Sequence, residues 1–277
     1  MKNGLILPCE KATISVMDYG FLYGDSVYEV MKSVEGKLFA AELHLQRLRY
    51  SAEKLGLPVP WEDGKIKAEL NELANQIAVP WVYLRLVLTR GTGPFFFDPE
   101  HCEAPVRLVY GTEFIPFPPE LYSRGVDLMI SEFRKGPSRH DSGSVKTGNY
   151  MDHVLPRYRA QEKGFHEALM LNHAGAVTEC TSANIFWFSR GELFTPDLSM
   201  GILNGVTRQL VLLAAERVGI RVQEGSFALE KLGDADEVFI TSTTRDILPV
   251  RSIGEFRFRP GLDTERLMKQ FLETGLG

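Results

Sequence analysis

The chain has no basic tract, no apolar run near the ~18 residues a membrane span needs, and only three cysteines. Each absence removes a class of protein. With a net charge of −5 and a pI near 5.8, it lacks the electrostatic footprint of a nucleic-acid binder, and no nucleic acid is expected as a partner. No membrane association is expected either. Cys9, Cys102 and Cys180 lie far apart without metal-ligand spacing. Neither a disulfide framework nor a metal site is expected, and a sparse, odd set suits a reducing cytosol. The opening MKNGLILPCEKATIS carries an apolar patch too short for a secretory signal and meets Glu10 and Lys11 at once. Internal repeats and low-complexity segments are missing too. The expectation is a soluble cytoplasmic protein.

What is present is apolar material for a large core. With 277 residues, 44% of them hydrophobic, two lobes are expected rather than one. Residues 1–16 read as short strands joined near Pro8-Cys9-Glu10, and Met17–Asp25 as a loop. Ser26–Val34 alternates and is rich in β-formers, so it reads as a strand, with Glu35-Gly36-Lys37 as its hairpin turn and Leu38-Phe39 as the return. Apolar spacing predicts helices over Ala41–Leu55, stopped by Gly56, and Asp63–Ile77. Trp81–Thr89 and Val106–Tyr110 read as strands. Three prolines in four positions, within Glu113–Glu120, cannot continue a helix or a central strand. The expected division is a small α/β lobe over 1–112, a linker over 113–121 and a larger lobe over 122–277. The second lobe reads as strands near 126–132, 167–172, 176–179, 184–188, 193–195 and 237–241, with helices near 150–162, 206–218, 228–231 and 263–273. Strands and helices mixed in both lobes indicate an α+β or α/β protein.

Several stretches can carry chemistry, and each also has an ordinary reading. In Ser144-Val145-Lys146-Thr147-Gly148-Asn149-Tyr150, after the loop from Arg134 to Gly143, Lys146 is either an exposed charge or a nucleophilic amine held in a pocket. Asn204-Gly205-Val206-Thr207-Arg208 opens a helix, as an ordinary cap or as an anion site made of free N–H groups and the helix dipole. Thr241-Ser242-Thr243-Thr244 ends a strand, as a hydroxyl-rich turn or as donors to a phosphate or carboxylate. Glu179 is a rim residue or the partner of a buried cationic nitrogen. Arg47 snorkels, pairs with an acid or faces a phosphate. Tyr83 and Arg85 share one strand face, as a solvated pair or as a carboxylate site. Together these groups are what pyridoxal phosphate asks of a protein: a lysine, an acid for the pyridine nitrogen and a phosphate anchor.

At these residues the chain resembles the fold-type IV pyridoxal-phosphate enzymes, which include branched-chain and D-amino acid aminotransferases, R-selective amine transaminases and aminodeoxychorismate lyases. The motifs YGDSVYE, HLQRL, VKTGNY, VTECTSANIF, NGVTR and TSTTRDILPV fall in family order between about Ile14 and Val250. The resemblance implies a small α+β lobe, a larger pseudo-barrel lobe, a homodimer and bound pyridoxal 5'-phosphate. It implies that Lys146 is the Schiff-base lysine and Glu179 the acid at the pyridine nitrogen. Arg47, Val206, Thr207 and Thr243 are implied phosphate ligands, and Leu203 packs on the cofactor ring. Tyr150 matches the tyrosine at the cofactor's phenolic oxygen, but stands one residue closer to the lysine than in branched-chain enzymes. Tyr23, Tyr28, Tyr83, Arg85 and Thr244 are implied to orient the substrate carboxylate, Tyr23 across the dimer.

Tyr83-x-Arg85 and Tyr23 resemble the branched-chain enzymes, whereas VYEVMK, with Tyr28 and Lys32, resembles the D-amino acid enzymes. The Arg-x-His carboxylate trap of the latter is replaced here by Pro94-Phe95-Phe96-Phe97, a run that fits a pocket loop for apolar side chains. Arg90 or Arg139 is then the substitute for the trap. The leading expectation is transamination between branched-chain L-amino acids and 2-oxoglutarate. D-amino acids come second, primary R-amines are side substrates, and pyruvate release from aminodeoxychorismate is third. The non-enzymatic alternative is a protein that binds a phosphorylated small molecule.

Overall fold

The computed structural model describes residues 1–136 and 145–275. Arg139 and Ser144 therefore lie outside the described residues. The chain divides into two compact units, Met1–Ile115 with Val145–Tyr150, and Pro116–Ser144 with Met151–Gly277.

The first unit contains α1 (Tyr19–Leu22), β1 (Ser26–Val34), β2 (Lys37–Leu38), α2 (Ala41–Lys54), α3 (Asp63–Ile77), β3 (Trp81–Thr89) and β4 (Val106–Glu113). Its sheet is antiparallel in the order β2-β1-β3-β4. The β1–β2 hairpin closes on Glu35 and Gly36, both at positive φ (48° and 78°), the geometry that matches strand twist. Alternation along β3 buries Val82, Leu84, Leu86 and Leu88, which pack with Leu45 and Leu48 of α2 and Ile66 and Leu70 of α3. The opposite face of β3 carries Tyr83 and Arg85. Val145–Tyr150 joins this unit beside β1: Tyr28 N–H donates to Lys146 O (3.1 Å) and Gly148 N–H to Ser26 O (2.8 Å).

Three features of this unit differ from expectation. Residues 1–16 form bridges at Lys2 and Leu5 and a 3-10 turn at Cys9–Lys11 rather than strands. Asn3 and Gly4 at positive φ turn the chain back too soon for a ladder. The loop expected at Met17–Asp25 contains α1, because the Asp18 carboxylate accepts from Gly20 N–H (2.7 Å) and caps it. β4 runs on to Glu113, paired with Val82 of β3.

The second unit contains α4 (Pro119–Arg124), β5 (Val126–Lys135), α5 (Met151–Glu162), β6 (Glu167–Asn172), β7 (Val177–Cys180), β8 (Asn184–Ser189), β9 (Glu192–Pro196), α6 (Val206–Arg217), β10 (Val222–Gly225), β11 (Glu237–Ser242), β12 (Asp246–Ile253), β13 (Phe256–Arg257) and α7 (Leu262–Gly275). The sheet runs β10-β9-β8-β11-β12-β5-β6-β7, with β13 on β12, and curls as a half-barrel. Its apolar core includes Leu169, Ile185, Trp187, Ile240 and Leu248. Sequence reading missed β10, β12 and β13, and also α4, which starts at Pro119 inside the expected linker because proline is tolerated in a first helical turn. β12 is central, and Pro249 disguises it. Pro249 sits opposite Phe239 of β11, and pairing to β5 begins only at Val250, so the missing N–H does not break that ladder. The stretch expected as a helix near 228–231 is a 3-10 segment, Leu229–Asp234.

Candidate active site

Each unit gathers a set of the sequence-predicted residues. In the first, strand alternation and the β1–β3 register put Tyr28, Lys32, Tyr83 and Arg85 on one sheet face. The Arg85 guanidinium lies 4.1 Å from the Tyr28 ring centroid, and the Lys146 ammonium lies 4.3 Å from the same centroid and 5.7 Å from that of Tyr150. Tyr28 and Tyr150 meet edge to face at 5.9 Å. The structure thus brings Tyr28, Arg85, Lys146 and Tyr150 together. Burial pushes the Tyr28 hydroxyl up, against the opposing pull of Arg85 and a hydrogen bond with Tyr150. Lys146 is half-buried, and its backbone N–H donates to Ser51 Oγ (3.1 Å).

Beneath this face, Arg47 on α2 holds the fully buried Glu29 of β1 through Nε–Oε1 (2.8 Å) and NH2–Oε2 (2.7 Å), while His44 Nδ1 lies 2.7 Å from Glu29 Oε2. Despite burial, Arg47 and His44 hold the Glu29 carboxyl down at about 2. Burial lowers the His44 imidazole, outweighing the contrary effect of Glu29. Nδ1–H then donates to an ionised carboxylate. Sequence reading named Arg47 but not its two partners. The α2–β1 contact was foreseeable as a packing pair, but the acid's inward direction was not.

Tyr23 sits apart, against the aromatic run. Its hydroxyl donates to Phe95 O (2.7 Å) and its ring lies 4.4 Å from that of Phe97. Phe95, Phe96 and Phe97 are 66%, 80% and 81% exposed in the single chain. Arg90 does not offer its fork to a substrate: it is paired with Asp25 and donates to Gly56 O and Leu55 O (both 2.9 Å).

In the second unit, Glu179 lies on β7, 4% exposed. Its Oε2 accepts from Leu203 N–H (2.9 Å) and Asn184 Nδ2 (3.3 Å), and Oε1 meets Lys135 at the end of β5. Lys135 is a partner the sequence did not reveal, since it lies 44 residues away. Leu203 O accepts from Asn184 Nδ2 (2.9 Å). Helix α6 then starts at Val206 with Gly205 as N-cap and no side-chain cap. A Cβ on Gly205 would collide with Asn184 Oδ1, and the Asn184 side chain is tied to Glu179 and Leu203 O, so a larger residue would displace it from both. Thr207 Oγ1, in the first turn, is buried without a hydrogen-bond partner. An uncapped helix start beside an orphaned buried hydroxyl fits a phosphate-bearing group. Thr243, Thr244 and Arg245 form the turn between β11 and β12, closed by the Ser242–Asp246 pair and Arg245 N–H to Ser242 O (3.2 Å).

The sequence model of amino-transferase class IV matches residues 26–253. A putative branched-chain-amino-acid aminotransferase of Methanocaldococcus jannaschii is 36% identical over 91% of this chain and 86% of its own length. A D-alanine aminotransferase of Bacillus licheniformis is 31% identical over 91% of this chain and 87% of its own. The crystal structure of the Escherichia coli branched-chain amino acid aminotransferase superposes with a TM-score of 0.93 at 26% identity, covering 99% of this chain and 93% of that one. The chain belongs to the class IV aminotransferases. Enzymes of this class use pyridoxal 5'-phosphate and act on amino acids and 2-oxo acids. Among the described residues, no helix is long and apolar enough to cross a membrane.

Proposed function

We propose that this aminotransferase takes the amino group of branched-chain L-amino acids and gives it to 2-oxoglutarate, in a ping-pong cycle. The observation that carries the reading is Arg85 on Tyr28 beside Lys146, a cation and a hydroxyl able to hold a carboxylate next to the amine that moves protons. The 36% identity to a putative branched-chain enzyme supports the substrate class.

When bound, pyridoxal phosphate supplies the electron sink that lets a proton leave the substrate α-carbon. Lys146 Nζ would hold the cofactor and, once displaced by the donor's amine, would carry that proton. The Glu179 carboxylate, steadied by Leu203 N–H, Asn184 and Lys135, would hold the pyridine nitrogen. Arg47, the N–H groups of Val206 and Thr207, Thr207 Oγ1 and Thr243 would hold the phosphate, and Leu203 would pack on the ring. Tyr150 would orient the phenolic oxygen. The raised Tyr28 hydroxyl stays protonated and donates to the substrate carboxylate with Tyr83, Arg85 and Thr244. The division of labour between residues 1–112 and 122–277 belongs to the same proposal.

The active form is proposed to be a homodimer, with Tyr23 acting in the neighbour's site. Three consecutive exposed phenylalanines, with Phe21 at 64%, form an apolar patch of the kind that seeks a partner. A cytoplasmic location is part of this reading.

D-amino acids are the second reading. Tyr28 and the D-alanine aminotransferase relative at 31% identity support it. A donor screen with both enantiomers of leucine, alanine and glutamate, reading the oxo acid formed, separates the two. L-leucine turnover with 2-oxoglutarate is expected. Turnover of D-alanine alone contradicts the lead reading, and pyruvate release from aminodeoxychorismate without amine transfer moves the chain to the lyases.

A further inference from the structure

One side chain in the second unit joins two of the segments named above and has no role in the proposed chemistry. Arg245 is the last residue of the Thr243–Arg245 turn, and it is only 7% exposed. Its NH1 donates to Ser182 Oγ (3.0 Å) and Ser182 O (3.3 Å), and its NH2 lies 3.3 Å from Glu167 Oε2. Ser182 lies three residues after Glu179, in the turn from β7 to β8. Glu167, at the start of β6, is fully buried. It accepts from Ser182 Oγ (2.6 Å) and Thr181 Oγ1, and pairs with Arg157 of α5 (3.1 Å). The Arg245 carbonyl is held as well, by the Tyr122 hydroxyl (3.1 Å).

We infer that Arg245 is a positioning residue that locks the Thr243–Thr244 turn to the segment carrying Glu179, through Ser182 and Glu167. The inference rests on the assignment of Thr243 to the cofactor phosphate and Thr244 to the substrate. A three-residue turn with two half-buried threonines has little apolar packing to fix it, and its backbone pairing ends at Ser242 and Asp246. A planar guanidinium supplies the missing rigidity, because its donors leave in fixed directions and reach two acceptors at once. Burying the cation is costly, and Glu167 offsets that cost. Arg157 engages the same carboxylate, so Glu167 stays neutralised when Arg245 is replaced. The consequence is specific. Loosening this turn weakens ligands through the phosphate more than through the ring, which Lys146 and Glu179 hold.

The test uses cofactor-free full-length protein, titrated with pyridoxal phosphate and with pyridoxal, which lacks the phosphate. Arg245→Ala is expected to raise Kd for pyridoxal phosphate about tenfold, the size of one charge-assisted hydrogen bond, and to leave Kd for pyridoxal within about twofold. In the loaded enzyme, KM for the amino donor rises more than kcat falls. Arg245→Lys restores part of the phosphate preference. Ser182→Ala, which leaves the Arg245–Glu167 pair, weakens pyridoxal phosphate by about threefold, and it serves if Arg245→Ala does not fold. Equal loss for both ligands, or an unchanged Kd for pyridoxal phosphate in Arg245→Ala and Ser182→Ala, overturns the role of Arg245 and leaves the transaminase reading standing. A wild-type protein that binds pyridoxal as tightly as pyridoxal phosphate overturns the phosphate assignment, and this inference with it.

Discussion

Each unit sets a buried carboxylate against arginine and an imidazole, yet the two clusters are built differently. In the first, Glu29 meets one guanidinium, Arg47, and a neutral His44, all from β1 and the adjoining α2. In the second, Glu167 meets two guanidiniums, Arg157 and Arg245, with His166 nearby, and the partners come from α5, β6 and the β11–β12 turn. The first set is balanced in charge and local in sequence. The second carries one cation in excess and ties distant segments together. One cluster therefore rests on a single arginine–carboxylate pair, whereas in the other a second arginine stays on the acid when one is removed.

Removing the acids should separate them most. Glu167→Ala leaves two cations facing each other in a buried site, and a loss of about 5 kcal/mol is expected, against about 3 for Glu29→Ala. Denaturant unfolding of the cofactor-free protein measures both, and equal losses break the comparison. Removing single arginines comes next: Arg47→Ala is expected to cost about 3 kcal/mol, since Glu29 keeps only His44, while Arg157→Ala costs about 1, since Glu167 keeps Arg245. A costlier Arg157→Ala would remove the claim of redundancy.

Acid unfolding sharpens the contrast further. Glu29, held at about 2 against an ordinary 4.5, contributes stability that is fully present above pH 4.5 and lost as pH falls toward 2, about 3 kcal/mol in all. His166 is pushed down to about 4 from 6.5, by burial and then by Arg245 and Arg157. The unfolded chain takes up that proton first, so stability falls as pH drops from 6.5 to 4. Unfolding curves across pH 7 to 2 should lose the lower limb in Glu29→Gln and the upper limb in His166→Asn. Smallest of all, Phe96→Ala should change the stability of the single chain by under about 0.5 kcal/mol, while sedimentation shifts toward monomer. Unchanged sedimentation contradicts the proposed role of the patch.

Local patterns were legible and long-range ones were not. β1, α3 and β3 fall where alternation and helical spacing put them, because each presents one apolar stripe to one core. β12 was missed because Pro249 argues against a central strand until the register shows where its absent N–H falls. α1 was missed because four residues are too few for a periodic signal, and only the Asp18 cap makes them a helix. In the site, Lys146, Tyr28 and Arg85 could be named from motifs and strand alternation. Lys135 on Glu179 and Arg245 on Glu167 could not, since their partners are 44 and 78 residues away in sequence, and nothing local says that either side chain turns inward.

The most direct test of the account is the first half-reaction alone. The protein loaded with pyridoxal phosphate is mixed with L-leucine or with D-alanine, with no oxo acid present, and the visible absorbance of the bound cofactor is followed. Loss of that absorbance with L-leucine but not with D-alanine, abolished in Lys146→Ala, is the predicted result. Loss with D-alanine and none with L-leucine would contradict it.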